Sequence, residues 1–149
     1  MKIMVINGPS INLLGIRDKN IYGTCSYQVL LTKINYWAKE LDIEVNCYQS
    51  NHEGDLVDFI QNAYFDKYDG IIINPAAYTH TSIAILDALK AVDIPSIEVH
   101  ISNIEEREEF RKKSYISEVC FERVIGKGID GYKKALQIFK ERSKEWLFI

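Results

Sequence analysis

The sequence lacks the features that mark membrane, secreted and zinc-binding proteins. No apolar stretch approaches the roughly 20 residues that a helix needs to cross a bilayer. The first apolar run stops at Asn7-Gly8-Pro9, too early for a secretory signal. The three cysteines, Cys25, Cys47 and Cys120, are odd in number and far apart, with no Cys/His spacing for a metal. We expect buried free thiols, no metal site and a cytoplasmic location.

An excess of charge of one sign is also missing. The chain has 18 Lys and Arg against 21 Asp and Glu, and its basic side chains are scattered rather than clustered. This balance argues against nucleic acid or a membrane surface as the partner. The sequence contains neither GxGxxG nor a P-loop, which weakens the case for a nucleotide. A small anionic ligand remains compatible, because it needs only a local group of donors.

What the sequence does contain is an alternation of short apolar runs with longer amphipathic ones. The expected strands are Ile3–Ile6, Ile43–Gln49, Gly70–Asn74, Ser96–Ile101 and Phe121–Ile125. The expected helices are Tyr27–Leu41, Gly54–Phe65, Thr81–Ala91 and Gly131–Trp146. Strands that alternate with helices predict a parallel sheet covered on both faces. We therefore expect one α/β domain over residues 1–149, flavodoxin-like and doubly wound, with five strands in the order 2-1-3-4-5.

Ligands of such sheets bind beyond the carboxyl ends of the strands. The segments at that end are 7–23, 49–53, 74–81 and 98–111, and they contain all three histidines. His52 has no evident partner and is expected to face solvent. His80 on its own would more often be structural than a ligand. Thr79 or Thr81 is expected to cap the helix that follows.

Tyr22 lies in a connection that is long for this fold, where such loops usually have about 2–6 residues. The residues alone allow two interpretations of Tyr22. It is either packed on a surface crossover or it acts as a base. A phenol ionises near pH 10, and one cation about 4 Å away supplies around 4 kcal/mol towards ionisation at an effective dielectric of 20. Arg17 is close in sequence, and Arg111 could approach from the loop after the fourth strand.

Glu98 and His100 are two residues apart on a predicted strand, so their side chains lie on the same face. A carboxylate beside an imidazole fixes its tautomer and favours its protonated form, as a general acid requires. The alternative is a structural ion pair at a strand end. Ser102 and Glu105 form a capping-box pattern for a following helix.

Arg107 and Arg111 are four residues apart and are expected to share a face of that helix. Glutamates surround both arginines, a pattern typical of a solvated, salt-bridged surface. We assign Arg107 to that surface and keep Arg111 as a ligand candidate.

At these positions the chain resembles the type II 3-dehydroquinate dehydratases over almost its whole length, which implies a single dehydroquinase domain. The matching segments are Asn7-Gly8-Pro9, Asn12-Leu13-Leu14-Gly15, Arg17, Tyr22-Gly23, Gln49-Ser50-Asn51, Asn74-Pro75, Tyr78-Thr79-His80-Thr81-Ser82, Glu98-Val99-His100-Ile101-Ser102-Asn103, Arg107 and Phe110-Arg111. Several ordered motifs across about a hundred residues are far more specific than any one of them.

The resemblance implies a dehydration of 3-dehydroquinate. Tyr22, as a phenolate stabilised by Arg17, would take a proton from the carbon next to the ketone. Asn74 would help to hold a water on the resulting enolate. His100, oriented by Glu98, would protonate the departing hydroxyl. One base and one acid suffice for this reaction, so no cofactor is expected.

The resemblance also implies a set of binding residues and an assembly. The substrate-binding residues would be Ser10, Asn74, His80, Asp87, Ile101, Ser102 and Arg111. Of these, Ile101 and Ser102 would hold the carboxylate, and Asp87 would act across a subunit boundary. Members of the family form trimers that build dodecamers, which we also expect here.

Two departures from the family pattern concern rate more than reaction class. Ser10 stands where the family usually has Asn, and a hydroxyl can donate only one hydrogen bond. Losing one such contact could cost on the order of 3 kcal/mol in the chemical step. Asp18-Lys19 replaces a common Glu-Pro. The alternatives are a weak relative that binds a quinate-like acid and a flavin-binding or phosphoryl-signalling domain. A phosphoryl-receiving domain would need acidic residues where Asn7-Gly8 stand.

Overall fold

A parallel sheet of five strands forms the centre of the chain. The computed structural model describes residues 1–146. The strands are β1 (Lys2–Asn7), β2 (Glu44–Gln49), β3 (Gly70–Asn74), β4 (Ser96–His100) and β5 (Glu122–Ile125). The helices are α1 (Lys19–Tyr22), α2 (Tyr27–Glu40), α3 (Glu53–Phe65), α4 (Ile83–Val92) and α5 (Asp130–Trp146). The strand order is β2-β1-β3-β4-β5, which confirms the predicted doubly wound fold.

Each face of the sheet has its own apolar core. Side chains alternate along a strand, so Ile3 and Val5 of β1 pack towards α2 and α5, whereas Met4 and Ile6 pack towards α3 and α4. Every residue of β3 is buried, because the central strand is covered on both sides. Its three consecutive isoleucines suit that position, and burying each contributes about 1.5–3 kcal/mol.

Serine rather than threonine caps the helix after β3. The hydroxyl of Ser82 accepts a hydrogen bond from the amide of Ile85 at 3.0 Å, so the prediction of a Thr79 or Thr81 cap is wrong. Residues Ala76–His80 form a 3-10 turn before the helix. Ser82 follows that turn with an extended backbone, which is the conformation that an N-cap needs.

The segment after β4 forms two 3-10 turns, Ile104–Glu106 and Glu109–Arg111, instead of the expected single helix. The predicted capping box of Ser102 and Glu105 is therefore also wrong. The side chain of Asn103 accepts from the amide of Glu105 at 3.1 Å, which turns the chain locally. Arg107 then has an extended backbone that separates the two turns.

The cysteines of the described chain are all free. Cys120 is buried as expected, whereas Cys25 and Cys47 are half-buried. Burial raises the pKa of the Cys47 and Cys120 thiols to about 12, so both stay protonated near neutral pH. Within residues 1–146 no group of three His, Cys, Asp or Glu side chains is placed to hold a metal ion. Over the same range no helix combines the length and the apolar character needed to cross a membrane.

Candidate active site

A cavity of about 130 Å³ opens where β1, β3 and β4 end. This is the end of the sheet at which the fold predicts a ligand. Most of the predicted site residues line the cavity: Ser10, Arg17, Tyr22, Asn74, His80, His100, Ile101, Ser102 and Arg111. Glu98 lies behind His100. Asp87 is exposed on α4, away from the cavity lining.

The loops after β1 and β3 are in direct contact, and this contact requires a glycine. The Gly8 amide donates to the Asn74 carbonyl at 2.8 Å. A Cβ at Gly8 would lie 2.4 Å from the Pro75 oxygen, so a larger residue would separate the loops. Two residues on, Ser10 has a left-handed backbone with φ 66°. Asparagine adopts that conformation more readily than serine.

Tyr22 lies at the end of α1 between two arginines. The guanidinium of Arg107 donates from Nη1 to the Tyr22 hydroxyl at 2.7 Å. The guanidinium carbon of Arg17 lies 4.0 Å from the centre of the Tyr22 ring. Tyr22 thus has one guanidinium at its hydroxyl and a second over its ring.

The assignment of Arg107 to a solvated surface is therefore wrong. Its side chain is only 17% exposed, because the two 3-10 turns direct it inwards to Tyr22. Arg111 instead donates from Nε to Glu108 at 2.7 Å while still lining the cavity. The sequence predicted salt bridges to glutamate in this segment, and the shorter one is made by Arg111 and not by Arg107.

His100 and Glu98 form a buried pair on β4. His100 is 4% exposed and Glu98 is 0% exposed, and His100 Nε2 lies 2.7 Å from Glu98 Oε1. Because a carboxylate only accepts hydrogen bonds, Nε2 carries the proton. The Nδ1 atom is then the ring nitrogen that remains to exchange a proton with a ligand.

Two further residues keep Glu98 ionised. The Ser114 hydroxyl donates to Glu98 Oε1 at 2.6 Å, and Arg123 Nε donates to Oε2 at 3.0 Å. Burial acts to raise the pKa of Glu98, but the hydrogen bonds and charges of His100, Ser114 and Arg123 outweigh it and lower that pKa below its usual value. Glu98 is therefore a charged acceptor that orients His100.

His80 presents a neutral imidazole to the cavity. Its Nδ1 lies 2.7 Å from the carbonyl oxygen of Lys113, which can only accept, so Nδ1 carries a proton. Burial lowers the pKa of His80, and repulsion from His100 and Arg111 lowers it further, against the raising effects of the Lys113 carbonyl and Glu98. Nε2 is then free to accept a hydrogen bond from a ligand hydroxyl.

Asn74 is held by a buried tyrosine that the sequence pattern did not single out. The Tyr132 hydroxyl of α5 donates to Asn7 Oδ1 at 2.6 Å and accepts from Asn74 Nδ2 at 3.1 Å. The Ala76 amide donates to Asn74 Oδ1 at 3.1 Å. These bonds fix the amide and leave one of its N–H groups for the cavity. Burial raises the pKa of Tyr132, so its hydroxyl stays a donor.

Sequence reasoning missed the supporting residues more than those that line the cavity. Arg107, Ser114, Arg123 and Tyr132 all contact a predicted site residue. A usable signal existed for Arg123, a charged residue in a strand predicted to lie beside Glu98. His52 is exposed, as expected from its lack of a partner.

Comparisons with known proteins identify the family of this chain. The family model for class II dehydroquinase matches residues 1–140. A 3-dehydroquinate dehydratase of Clostridium perfringens is 58% identical over 144 residues, which cover 97% of this chain and 100% of that protein. A 3-dehydroquinate dehydratase of Caldicellulosiruptor bescii is 59% identical over 140 residues, or 94% of this chain and 97% of that protein.

A solved structure gives the same result. The crystal structure of type II dehydroquinase from Butyrivibrio crossotus matches with a TM-score of 0.91 and 57% sequence identity. The match covers 93% of this chain and 96% of that one. With the family model, the curated relatives and the fold in agreement, the chain belongs to the class II dehydroquinase family.

Proposed function

We propose that this chain is a hydro-lyase that converts 3-dehydroquinate to 3-dehydroshikimate in the shikimate pathway. The observation that carries the proposal is the arrangement of the cavity. A tyrosine hydroxyl bonded to an arginine, Tyr22 with Arg107, and an imidazole bonded to a buried carboxylate, His100 with Glu98, line one small cavity. The names of the close relatives identify the substrate.

Tyr22 is the base of the first step. Its phenolate takes a proton from the carbon next to the substrate ketone, and the electron pair of that C–H bond forms an enolate. Arg107 and Arg17 support this step because their charges stabilise the phenolate before the proton moves. Asn74 offers one fixed N–H to a water that stabilises the enolate oxygen.

His100 is the acid of the second step. The enolate collapses, the bond from carbon to the tertiary hydroxyl breaks, and Nδ1 of the imidazolium gives the proton that makes the leaving group water. The net change is loss of one water, with no change in oxidation state. A ketone that acidifies the proton and a β-hydroxyl that leaves need one base and one acid, so the proposal includes no cofactor.

The remaining cavity residues bind the substrate. The chain at Ile101 and Ser102, directly after β4, holds the substrate carboxylate, and the adjacent Arg111 adds a positive charge. The Nε2 atom of His80 accepts a hydrogen bond from a ring hydroxyl. Ser10 faces the region where the enolate-stabilising water would lie.

We further propose that the enzyme is a cytoplasmic homo-oligomer, a dodecamer built as a tetramer of trimers, in which Asp87 completes a neighbouring cavity. Asp87 and Ile83 are four residues apart on α4, so they share a face. Ile83 is 55% exposed, so this face of α4 offers an apolar side chain beside Asp87 for an interface. Light scattering of the purified protein tests the assembly.

Ultraviolet absorbance tests the reaction, because the product is a conjugated enone carboxylate and the substrate is not. Wild-type protein should raise the absorbance of a 3-dehydroquinate solution. Tyr22→Phe removes the base but keeps the ring, so the rate should fall by about 10³-fold while substrate binding, measured by calorimetry, changes little. Binding without any rise in absorbance at high wild-type concentration would instead support a weak relative that only holds a quinate-like acid.

A further inference from the structure

The buried carboxylate of Glu98 is held from three separate parts of the chain. Oε1 accepts from His100 on the same strand and from Ser114 in the loop before β5. Oε2 accepts from Arg123 Nε at 3.0 Å. Among the described residues Arg123 is the donor that reaches Oε2, and its guanidinium is a permanent positive charge in direct contact with Glu98.

Arg123 reaches Glu98 because of the strand register. In the pairing of β4 with β5, Glu98 lies directly opposite Arg123, so both side chains leave the same face of the sheet. Arg123 is 30% exposed, and its Nη1 lies 3.8 Å from Glu105 Oε1 at the surface. One guanidinium thus connects a fully buried carboxylate to the solvent.

The charged groups around His100 show why the charge of Arg123 matters for proton transfer. The groups that interact with the Glu98–His100 pair from neighbouring elements are Arg123 of β5, Cys120 before it and His80 after β3, while Arg111 lines the same cavity as His100. Of these, Arg123 is the permanent cation in hydrogen-bond contact with the carboxylate. A bare buried carboxylate would hold the imidazolium proton tightly, whereas a shared one holds it less tightly.

We propose that Arg123 is a positioning residue for the acid step: it keeps Glu98 ionised and oriented, and so sets how readily His100 releases its proton. This inference rests on the proposed function, in which His100 protonates the leaving hydroxyl. A general acid works best when its proton is held at rest but released in the transition state. Arg123 serves that requirement without touching the substrate.

Arg123→Gln tests the proposal, with Arg123→Lys as the conservative variant. Loss of the cation should lower kcat by about tenfold and leave KM within about twofold, because the residue acts through Glu98 and not on the substrate. Removing a positive charge raises the proton affinity of its neighbours, so His100 should titrate about one pH unit higher in Arg123→Gln. Lysine keeps the charge and should restore most of both values.

His100 is followed directly in protein labelled with ¹³C at its three histidines, with its signal assigned by its loss in His100→Asn. Lys2→Gln is the matched control, since its ammonium donates to the Asp66 carbonyl at the opposite end of the sheet and its loss should change neither kcat nor the His100 titration. A purely structural role for Arg123 would lower the melting temperature without moving that titration.

An unchanged kcat and an unchanged His100 titration in Arg123→Gln would overturn the proposal. If wild-type protein lacks dehydratase activity, the proposed function fails, but the histidine titration still reports whether Arg123 controls His100. If Arg123→Gln does not fold, the test is made on the wild-type protein. Its Arg123 Nε–H resonance should shift at the pH where His100 titrates, and a resonance that does not change at that pH would refute the coupling.

Discussion

The acid side and the base side of the cavity differ in how they are anchored. His100 and Glu98 belong to β4, are almost fully buried and have partners fixed by the sheet. Tyr22 ends a four-residue helix whose side chains are all at least partly exposed. Its contacts with Arg17 and Arg107 join two loops that are far apart in sequence. The acid is therefore held by the sheet itself, whereas the base is held by contacts between two loops.

This difference separates stability from catalysis. Removing a charge on the acid side leaves partners buried, so it should cost folding free energy as well as rate. Removing a charge on the base side leaves partners that water can reach, so it should cost rate alone. Substitutions on the two sides test whether stability and rate respond in this way.

The largest combined effect is expected for Glu98→Gln. The amide keeps the volume of the side chain but removes its charge and turns an N–H towards His100 or Arg123. We expect a loss of about 3 kcal/mol in the free energy of unfolding and a kcat lowered about 100-fold. Chemical denaturation and the absorbance assay measure the two losses. A fully stable but inactive Glu98→Gln would contradict the structural part of the comparison.

Arg107→Met should affect the rate with little effect on folding. Methionine keeps most of the aliphatic stem but removes the cation 2.7 Å from the Tyr22 hydroxyl, so kcat should fall about 100-fold. The unfolding free energy should change by less than about 1 kcal/mol, since Arg107 lies on a loop and is not part of the sheet.

Arg111→Met is the matched comparison within the same segment. Arg111 lines the cavity but pairs with Glu108 and not with Tyr22. Its loss should raise KM more than it lowers kcat. Equal patterns for the two variants would show that Arg107 acts on substrate binding and not on the base.

The same contrast explains what sequence could predict. The strands follow from β-branched runs such as 71–73, and the Glu98–His100 pair follows from the two-residue period of a strand. Arg107 was misassigned because the glutamates around it suggest one solvated helix, while the capping bond of Asn103 and the break at Arg107 create two turns. A charged residue in the strand predicted beside Glu98 pointed to Arg123, but its contact depends on the exact register of β4 and β5. The contact of Tyr132 depends on how α5 packs on the sheet, which local sequence does not specify.

Two groups at the cavity, His80 and Glu98, should also make stability depend on pH. The pKa of His80 is lowered from 6.5 in the folded state, so the unfolded chain takes up this proton first and stability falls as the pH drops below about 6.5. The pKa of Glu98 is lowered from 4.5, so its stabilisation is present above that pH and is lost as the pH falls below it. In His80→Gln the loss of stability between about pH 7.5 and 5.5 should become smaller, whereas the loss between about pH 5.5 and 4 should remain. Denaturation at about pH 7.5, 5.5 and 4 measures both, since these values bracket the ordinary pKa values of about 6.5 and 4.5.

The smallest effect is expected for Ser10→Asn, on the base side. Asparagine suits the left-handed backbone at φ 66° better than serine and can extend an amide N–H towards the cavity that Ser10 lines. We expect a kcat raised by about tenfold or less and a stability gain of under about 1 kcal/mol. Ser10→Ala, which keeps the strain and removes the hydroxyl, is the control for the side-chain contact. If Ser10→Asn gains stability but no rate, the serine hydroxyl already holds the water that the enolate needs.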